Sequence, residues 1–546
     1  MYGAVSGSSS GGGGGGGGSS NGNDSGNGDR RPLLDPEMCC SADDDGNNNA
    51  SGDISSSTTP TTSNSSSSST HLFGPLVRTL SEVAGQPLIR TVSEGVQTLA
   101  HADFALSDEA MDTKSDRIHH MPAAGTSTIP SEVANMTKNL IGGGVLSLSG
   151  GMALFANHPG WYTCCSALLW VMILGWVFGY FSALIAKSCE MSLSATYREC
   201  WERTVGRRGG MMVAIVNTLD PLLGILANAS ILSQSLQLML EGVGIDMNLT
   251  ECLLTVTVVG ILPLCLLKNL AALAPFSALG MAAVLLALGC MMVRYCDGSY
   301  QAGGRFYDDI PPSLRPSFGT ISRPWSADAL PFVCMVYTSF DMHYNSPRFY
   351  AELRDASIYR FSWVITYSFG TTALLYSAIA IVGFLTFGAN SDSYILNNYS
   401  AQDGLATLSR LAIGLCSLVS YPLNFIGVRD NCLDLLGLTD EIAMRGLLNA
   451  FTVLLLFLLT VLSCFVTDLG LINSIGGGTT VTLVCFVFPA VMFREGMRKH
   501  CAASCDGGGG TMGAKEQIEV WVAMLLMVLG VVVGVVGVWS SIALDA

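Results

Sequence analysis

Apolar windows of about 18–25 residues recur from Thr128 to the end of the chain, each long enough to cross the bilayer core as a helix. They predict spans near residues 129–156, 161–186, 211–240, 252–267, 271–293, 327–350, 359–387, 405–426, 447–467, 470–493 and 519–541. The pattern predicts an all-α polytopic membrane protein with 11 transmembrane helices over residues 128–546, behind a polar N-terminal tail over 1–127. The first window is long and the fourth is short.

Loop charges test the parse independently, because inside loops should be rich in Lys and Arg. Loop 187–210 carries Lys187, Arg198, Arg203, Arg207 and Arg208, and loop 348–360 carries Arg348, Arg354 and Arg360. Loop 494–516 carries Arg494, Arg498, Lys499 and Lys515, while Lys268, Arg429 and Arg445 mark the remaining inside connections. The alternate segments 157–160, 241–251, 388–404, 468–469 and 542–546 carry no Lys or Arg; only the longer loop 294–326 does. The expected topology is N-terminus cytoplasmic and C-terminus outside, in a vacuolar, endosomal or plasma membrane. Two sequons, Asn248-Leu249-Thr250 and Asn398-Tyr399-Ser400, fall on the outer side, which makes Asn248 and Asn398 candidate glycosylation sites.

Composition agrees with this class. Of the 546 residues 49% are hydrophobic and only 13% charged, with a mean hydropathy of +0.45, too little charge for the surface of a soluble protein of this size. The net charge of −15 belongs largely to the tail, where residues 1–127 hold 15 acidic against 6 basic side chains. It says little about partners of the membrane body, and nothing points to nucleic acid. Most of the 17 cysteines sit in apolar runs, where they act as small hydrophobes. No spacing suggests a metal site; Cys252 and Cys296 could pair near the outer face.

The tail opens on Gly, Ser, Asn and Asp, including eight glycines from Gly11. Such a segment cannot bury enough apolar area to offset its ordering entropy and is expected to be disordered. No apolar run near Met1 suggests a signal peptide. Asp29-Arg30-Arg31-Pro32-Leu33-Leu34 has the spacing of an acidic dileucine signal for sorting adaptors, or is a chance match. Pro75–Glu82 is echoed by Pro87–Glu94, and both copies read Arg-x-x-Ser. Ser81 and Ser93 are therefore candidate phosphorylation sites; a docking helix pair is the equal alternative.

Two spans do not read as plain helices. The first holds Gly142-Gly143-Gly144 beside Asn135, Thr137, Lys138 and Asn139; three mid-helix glycines cost about 3 kcal/mol in helix propensity. The sixth holds Thr338-Ser339-Phe340-Asp341-Met342-His343-Tyr344-Asn345-Ser346-Pro347, where polar residues and a proline crowd a lipid-depth segment. Irregular backbone at that depth survives only where it is buried or lines a cavity. Its free amides then attract a carboxylate. Spans one and six stand five apart, as in two inverted five-helix repeats, here 128–293 and 327–493, with the helix over 519–541 as an appendage. Close packing of small residues fits Gly476-Gly477-Gly478 better than a break does. Intramembrane acids are functional candidates by default. Asp220, before Pro221, is one, although a helix N-cap explains it as well; His343 is either a titrating group or a cap at an interfacial helix end.

The stretch Asn139–Leu148 resembles the Asn-x-x-x-Gly-x-Gly-x-Leu-x-Leu signature of the amino acid/auxin permease family, with a one-residue offset and Ser149 near the usual Pro or Ser. Phe340, His343, Tyr350, Glu352 and Leu353 resemble the Phe-x-x-His…Tyr-x-Glu-Leu pattern of its vacuolar and sodium-coupled neutral amino acid transporter-like branch. Tyr421-Pro422 followed by Arg429 is similar to its Tyr-Pro…Arg ending. The resemblance covers roughly residues 125–540 and implies the fold of the bacterial leucine transporter. It implies that Gly142, Gly143 and Gly144 hold a substrate carboxylate, and that Ser339 and Phe340 offer carbonyls and a wall to its ammonium end; His343, in the same break, is a further candidate substrate contact. It further implies that Asn139 with Ser417 or Ser420 holds a coupling cation. Asp341 has no counterpart in the family pattern and is an ion-coupling candidate only as an ionisable residue at membrane depth.

The expected function is secondary active transport of neutral amino acids, driven by H+ or Na+, since no phosphate-binding motif is present and no organic cofactor is expected. An amino acid sensor with little flux, or a carrier of another small solute on the same fold, are the alternatives. No sequence arrangement suggests an enzyme.

Overall fold

The computed structural model describes residues 125–266, 277–436, 447–503 and 512–545. Asp29, Leu33, Leu34, Ser81 and Ser93 lie outside them, so the tail's sorting and phosphorylation elements have no structural account here.

The first predicted span is two helices, α1 (Ile129–Leu140) and α2 (Leu148–Phe155), joined by a 3-10 turn at Gly143–Ser147. There follow α3 (Trp161–Ser192), the short α4 (Tyr197–Thr204), α5 (Gly210–Glu241), α6 (Leu249–Cys265) and α7 (Ser277–Cys296). The sixth span is also split, into α8 (Leu330–Ser339) and α9 (Ser346–Glu352). The chain continues through α10 (Ile358–Phe387), α11 (Gly404–Leu435), α12 (Leu447–Phe465), α13 (Leu469–Ala502) and α14 (Ala514–Asp545). Seven of these, α3, α5, α10, α11, α12, α13 and α14, are each long and apolar enough to cross a membrane alone. The other four predicted windows are occupied by α1 with α2, by α6, by α7, and by α8 with α9.

The loop-charge alternation corresponds to the two ends of the bundle. At one end Ser127 donates its amide to the Glu352 carbonyl (3.0 Å) and accepts from the Arg354 amide (2.8 Å), and Lys499 bonds the Arg203 carbonyl (2.8 Å). At the other, Gly319 bonds the Asn157 carbonyl and Ala389 the Ser317 carbonyl, both at 2.8 Å. There Ser393 reaches Asp468 (2.8 Å), and Arg294 clasps Asp403 through two hydrogen bonds of 2.8 and 2.7 Å. Predicted inside segments thus join one another, and predicted outside segments do likewise.

Corresponding helices of the two halves pack together: α3 lies against α10 and α5 against α11, with the two split spans between them. The Gly476-Gly477-Gly478 run is continuous helix with π turns, as close packing predicts. A Cβ on Gly477 would fall on the Cys334 carbonyl oxygen, and one on Gly478 would lie 2.7 Å from the Gly534 carbonyl oxygen.

The N-cap explanation of Asp220 fails, because Pro221 sits inside the 32-residue α5. A mid-helix proline removes the amide that would bond the carbonyl four residues earlier. Here that carbonyl belongs to Asn217, and the Asn431 side chain of α11 supplies the missing donor at 3.2 Å.

Candidate functional site

Both split helices open their backbone toward one cavity. In the first, α1 ends at Leu140; Ile141 and Gly142 are extended (φ −76°, ψ 107° and φ −128°, ψ 171°) before the chain turns again. The amides that begin a helix have no partner within it, so those of Gly142, Gly143 and Gly144 are available to a ligand. In the second, α8 ends at Ser339, and Phe340, Asp341 and Met342 run non-helically into a turn at His343–Asn345. The glycines are needed for closeness rather than for left-handed backbone. A Cβ on Gly143 would lie 2.7 Å from Ile231 Cδ1 and 3.5 Å from Ser417 Oγ, and one on Gly144 3.3 Å from Asn473 Nδ2.

One buried side chain ties the two breaks together. The Tyr376 hydroxyl, from α10, lies 2.6 Å from the Leu140 carbonyl and 2.8 Å from the Ser339 carbonyl, the last residues of α1 and α8. From α13, Asn473 Nδ2 donates to the Gly144 carbonyl (3.2 Å) and to Ser147 Oγ (3.0 Å), while its own carbonyl accepts from Thr338 Oγ1 (2.5 Å).

The cavity between the breaks has a volume of about 750 Å³. Its walls include Asn139, Gly142, Gly143, Gly144, Asp341 and Ser420 of the sequence-predicted residues, together with Asp220, Thr338, Asn424, Asn473 and Thr480. Lys138, Arg348 and Glu352, from the end where the predicted inside segments meet, also line it. Toward the opposite end, α5 is bonded to the segment before α11: Ser235 to Tyr394 at 2.8 Å and Gln234 to Asn397 at 2.5 Å. Ser230 and Gln234 also hold the Thr467 carbonyl.

Three predicted substrate contacts are corrected. Ser339, Phe340 and His343 do not line the cavity. The Ser339 carbonyl is occupied by Tyr376, and Phe340 is fully buried in an aromatic cluster with Phe178, Phe369 and Tyr376 at ring separations of 5.1–5.9 Å. His343 is likewise fully buried, so it caps no interfacial helix end; its Nε2 bonds the Phe178 carbonyl at 2.9 Å. The break packs these three away from the space and leaves Thr338, Asp341, Tyr344 and Asn345 on the wall.

Of the predicted ion-coupling residues, Asn139 accepts from Asn345 Nδ2 (3.4 Å), and Ser420 lines the same cavity. Ser417 is buried beside Gly143, and its hydroxyl has no hydrogen-bond partner among the described residues. Asp341 meets Asp220 of α5 within hydrogen-bonding reach, and Thr480 Oγ1 donates to Asp220 at 2.7 Å. The fold also gathers side-chain atoms of Asp341, His343 and Cys485 within 4.8 Å of one another, a cluster that no sequence spacing announces.

Tyr376, Asn473 and Thr480 escaped the sequence analysis. Asn473 carried the one usable signal, an amide in an apolar span beside three glycines; Tyr376 carried none. Among the outer sites, Asn248 is exposed and caps α6. Asn398 is a correction: it is fully buried, its Nδ2 donates to the Leu314 (3.1 Å) and Asn390 (2.7 Å) carbonyls, and its Oδ1 accepts from the Asp392 amide. Its nitrogen is not free for a glycan in the folded chain. Cys252 and Cys296 are both free thiols.

Comparison with known proteins places this geometry. Over 428 residues the chain is 24% identical to a zebrafish (Danio rerio) protein named putative sodium-coupled neutral amino acid transporter 11, covering 77% of this chain and 87% of that one. Over 462 residues it is 24% identical to amino acid transporter AVT6E of Arabidopsis thaliana, covering 81% and 87%. Among solved structures, the inward-facing conformation of Mhp1 aligns with a TM-score of 0.49 at 12% identity, over 78% of this chain and 90% of that one. The family model described as transmembrane amino acid transporter protein matches residues 125–543, so the chain belongs to that family of multi-pass membrane transporters.

Proposed function

We propose that the protein moves neutral amino acids by alternating access, energised by a H+ or Na+ gradient, with the solute held between the two breaks. The observation that carries this is the single cavity faced by both interrupted helices, with Gly142, Gly143 and Gly144 on its wall. The partial positive charge of a helix N-terminus favours a carboxylate there. Neutral side chains are favoured by the resemblance to the zebrafish protein, whose name specifies neutral amino acids.

The unpartnered Ser417 hydroxyl beside Gly143, with Asn139 at the end of α1, supports a cation position at the first break. Lys138, Arg348 and Glu352 line the cavity from the inside end, and the Ser235–Tyr394 and Gln234–Asn397 bonds tie the opposite end, which supports a solute-releasing or solute-loading state on the cytoplasmic side. Dileucine-directed sorting to a vacuolar or endosomal membrane through Asp29, Leu33 and Leu34 is part of the same proposal. Transport by purified protein in liposomes tests it, with H+ and Na+ gradients imposed separately over a panel of labelled amino acids. Binding without flux would favour a sensor, and flux of non-amino-acid solutes alone would overturn the assignment.

A further inference from the structure

We propose that Asp220 and Asp341 together form one proton-binding site, and that its loading and unloading are coupled to solute movement. This rests on the cavity being an amino acid site. The two carboxyl groups come from different helices, α5 and the α8–α9 break, and both line the cavity. They lie within hydrogen-bonding reach of each other. Two carboxylates held in contact repel strongly when both are charged, which favours a single proton shared between them.

The surroundings restrict what else could neutralise the pair. Thr480 of α13 donates to Asp220 (2.7 Å) but carries no charge. Cys485, one π turn further along α13, lies 3.5 Å from Asp341 Oδ1 and 3.1 Å from His343 Nδ1. His343 Nε2 faces a carbonyl, that of Phe178 in α3, so this nitrogen must carry a hydrogen. In the neutral ring Nδ1 is then an acceptor, and the Cys485 thiol is the donor between the histidine and the acid. The remaining titratable neighbours are phenols: Tyr344 of the break, and Tyr197 of α4, whose hydroxyl is spent on the Val484 carbonyl at 2.6 Å. The basic groups on the cavity wall are Lys138 of α1 and Arg348 of α9; Glu352 is its other acid. Neither basic group forms an ion pair with Asp220 or Asp341 among the described residues.

The site therefore lies where the moving parts meet. Asp341 is anchored to a break that must rearrange when the cavity changes sides, and Asp220 to α5, which packs against α11 and α13. If rearrangement separates the two carboxyls, each regains its own solvation and the shared proton is released. If it brings them together, a proton must be taken up. The balance is one proton per closure of the pair, with no redox or covalent step.

The test uses the full-length protein in sodium-free liposomes containing a trapped pH dye, with labelled alanine and glutamine as probes. Wild-type protein should take up the label into substrate-free liposomes and acidify the lumen as net substrate enters, since one-for-one exchange would return each proton. Asp220→Asn and Asp341→Asn should each lower substrate-dependent acidification at least tenfold. Exchange should be slower and should lose its pH dependence between pH 5.5 and 8. Acidification at the wild-type rate, or exchange with the wild-type pH profile, in either variant would overturn the proposal. Where an Asn variant does not exchange at all, Asp→Glu at the same position decides. It must restore exchange and acidification with a displaced pH profile, and an unshifted profile or no recovery counts against the pair. Wild-type protein that takes up net amino acid without acidification defeats this inference alone, whereas wild-type protein that neither takes up nor exchanges amino acid defeats the transport assignment.

Discussion

Replacing Tyr376 by Phe removes a single hydroxyl from a side chain that bonds the last carbonyls of both α1 and α8. The ring stays packed against Phe340 (5.1 Å between centroids), so no cavity is made and the change isolates hydrogen bonding. The hydroxyl has one hydrogen and two carbonyl neighbours, Leu140 at 2.6 Å and Ser339 at 2.8 Å. Both carbonyls end helices, so neither has a following turn to bond it. Losing the shared donor in a fully buried place should cost about 1–3 kcal/mol. If that energy holds the two helix ends in the geometry that binds solute, it corresponds to an affinity loss of about 5- to 150-fold. Amino acid exchange in liposomes measures it as a raised KM, and the unfolding midpoint in detergent measures the stability part. A Tyr376→Phe protein with unchanged KM and unchanged midpoint would refute the idea that this hydroxyl fixes the breaks.

Gly143→Val should abolish uptake while the protein still inserts and expresses. The first new carbon already lies 2.7 Å from Ile231 Cδ1, and the two methyls beyond it fill the break; normal uptake would remove the cradle argument. Asp403→Asn should destabilise the outer end by about 3–5 kcal/mol, as for one partner removed from a buried pair. Burial alone would raise the Asp403 carboxyl, but Arg294 and Tyr300 outweigh it and hold it below the ordinary aspartate value. The contribution is therefore full above that value, 3.8, and is lost as pH falls through the depressed one. The stability gap between wild type and variant, followed by thermal unfolding from pH 8 to 3, should stay constant down to the mildly acidic range and close only below it. Asn248→Gln should remove a glycosidase-sensitive gel shift, whereas Asn398→Gln should leave the shift and lower the unfolding midpoint.

The length and spacing of apolar windows determined that this is a multi-pass helical bundle, because each backbone amide in lipid must be bonded within its own helix. The loop charges determined which segments share an end, and two local compositions determined where helices break: three glycines at 142–144, and the polar run from Thr338 to Pro347. These are properties of short stretches, which is why a linear reading reached them. The tertiary structure decided which groups at the breaks face the solute space. It turned Phe340 and His343 away and presented Asp341 instead, since an unwound segment has no fixed period from which side-chain direction could be inferred. It also decided the partners: Tyr376 for two helix ends, Asn473 for the Gly144 carbonyl, Asp220 for Asp341, and buried carbonyls for Asn398. Each joins residues far apart in the chain, the two acids alone standing 121 positions apart, and only packing in three dimensions sets such contacts.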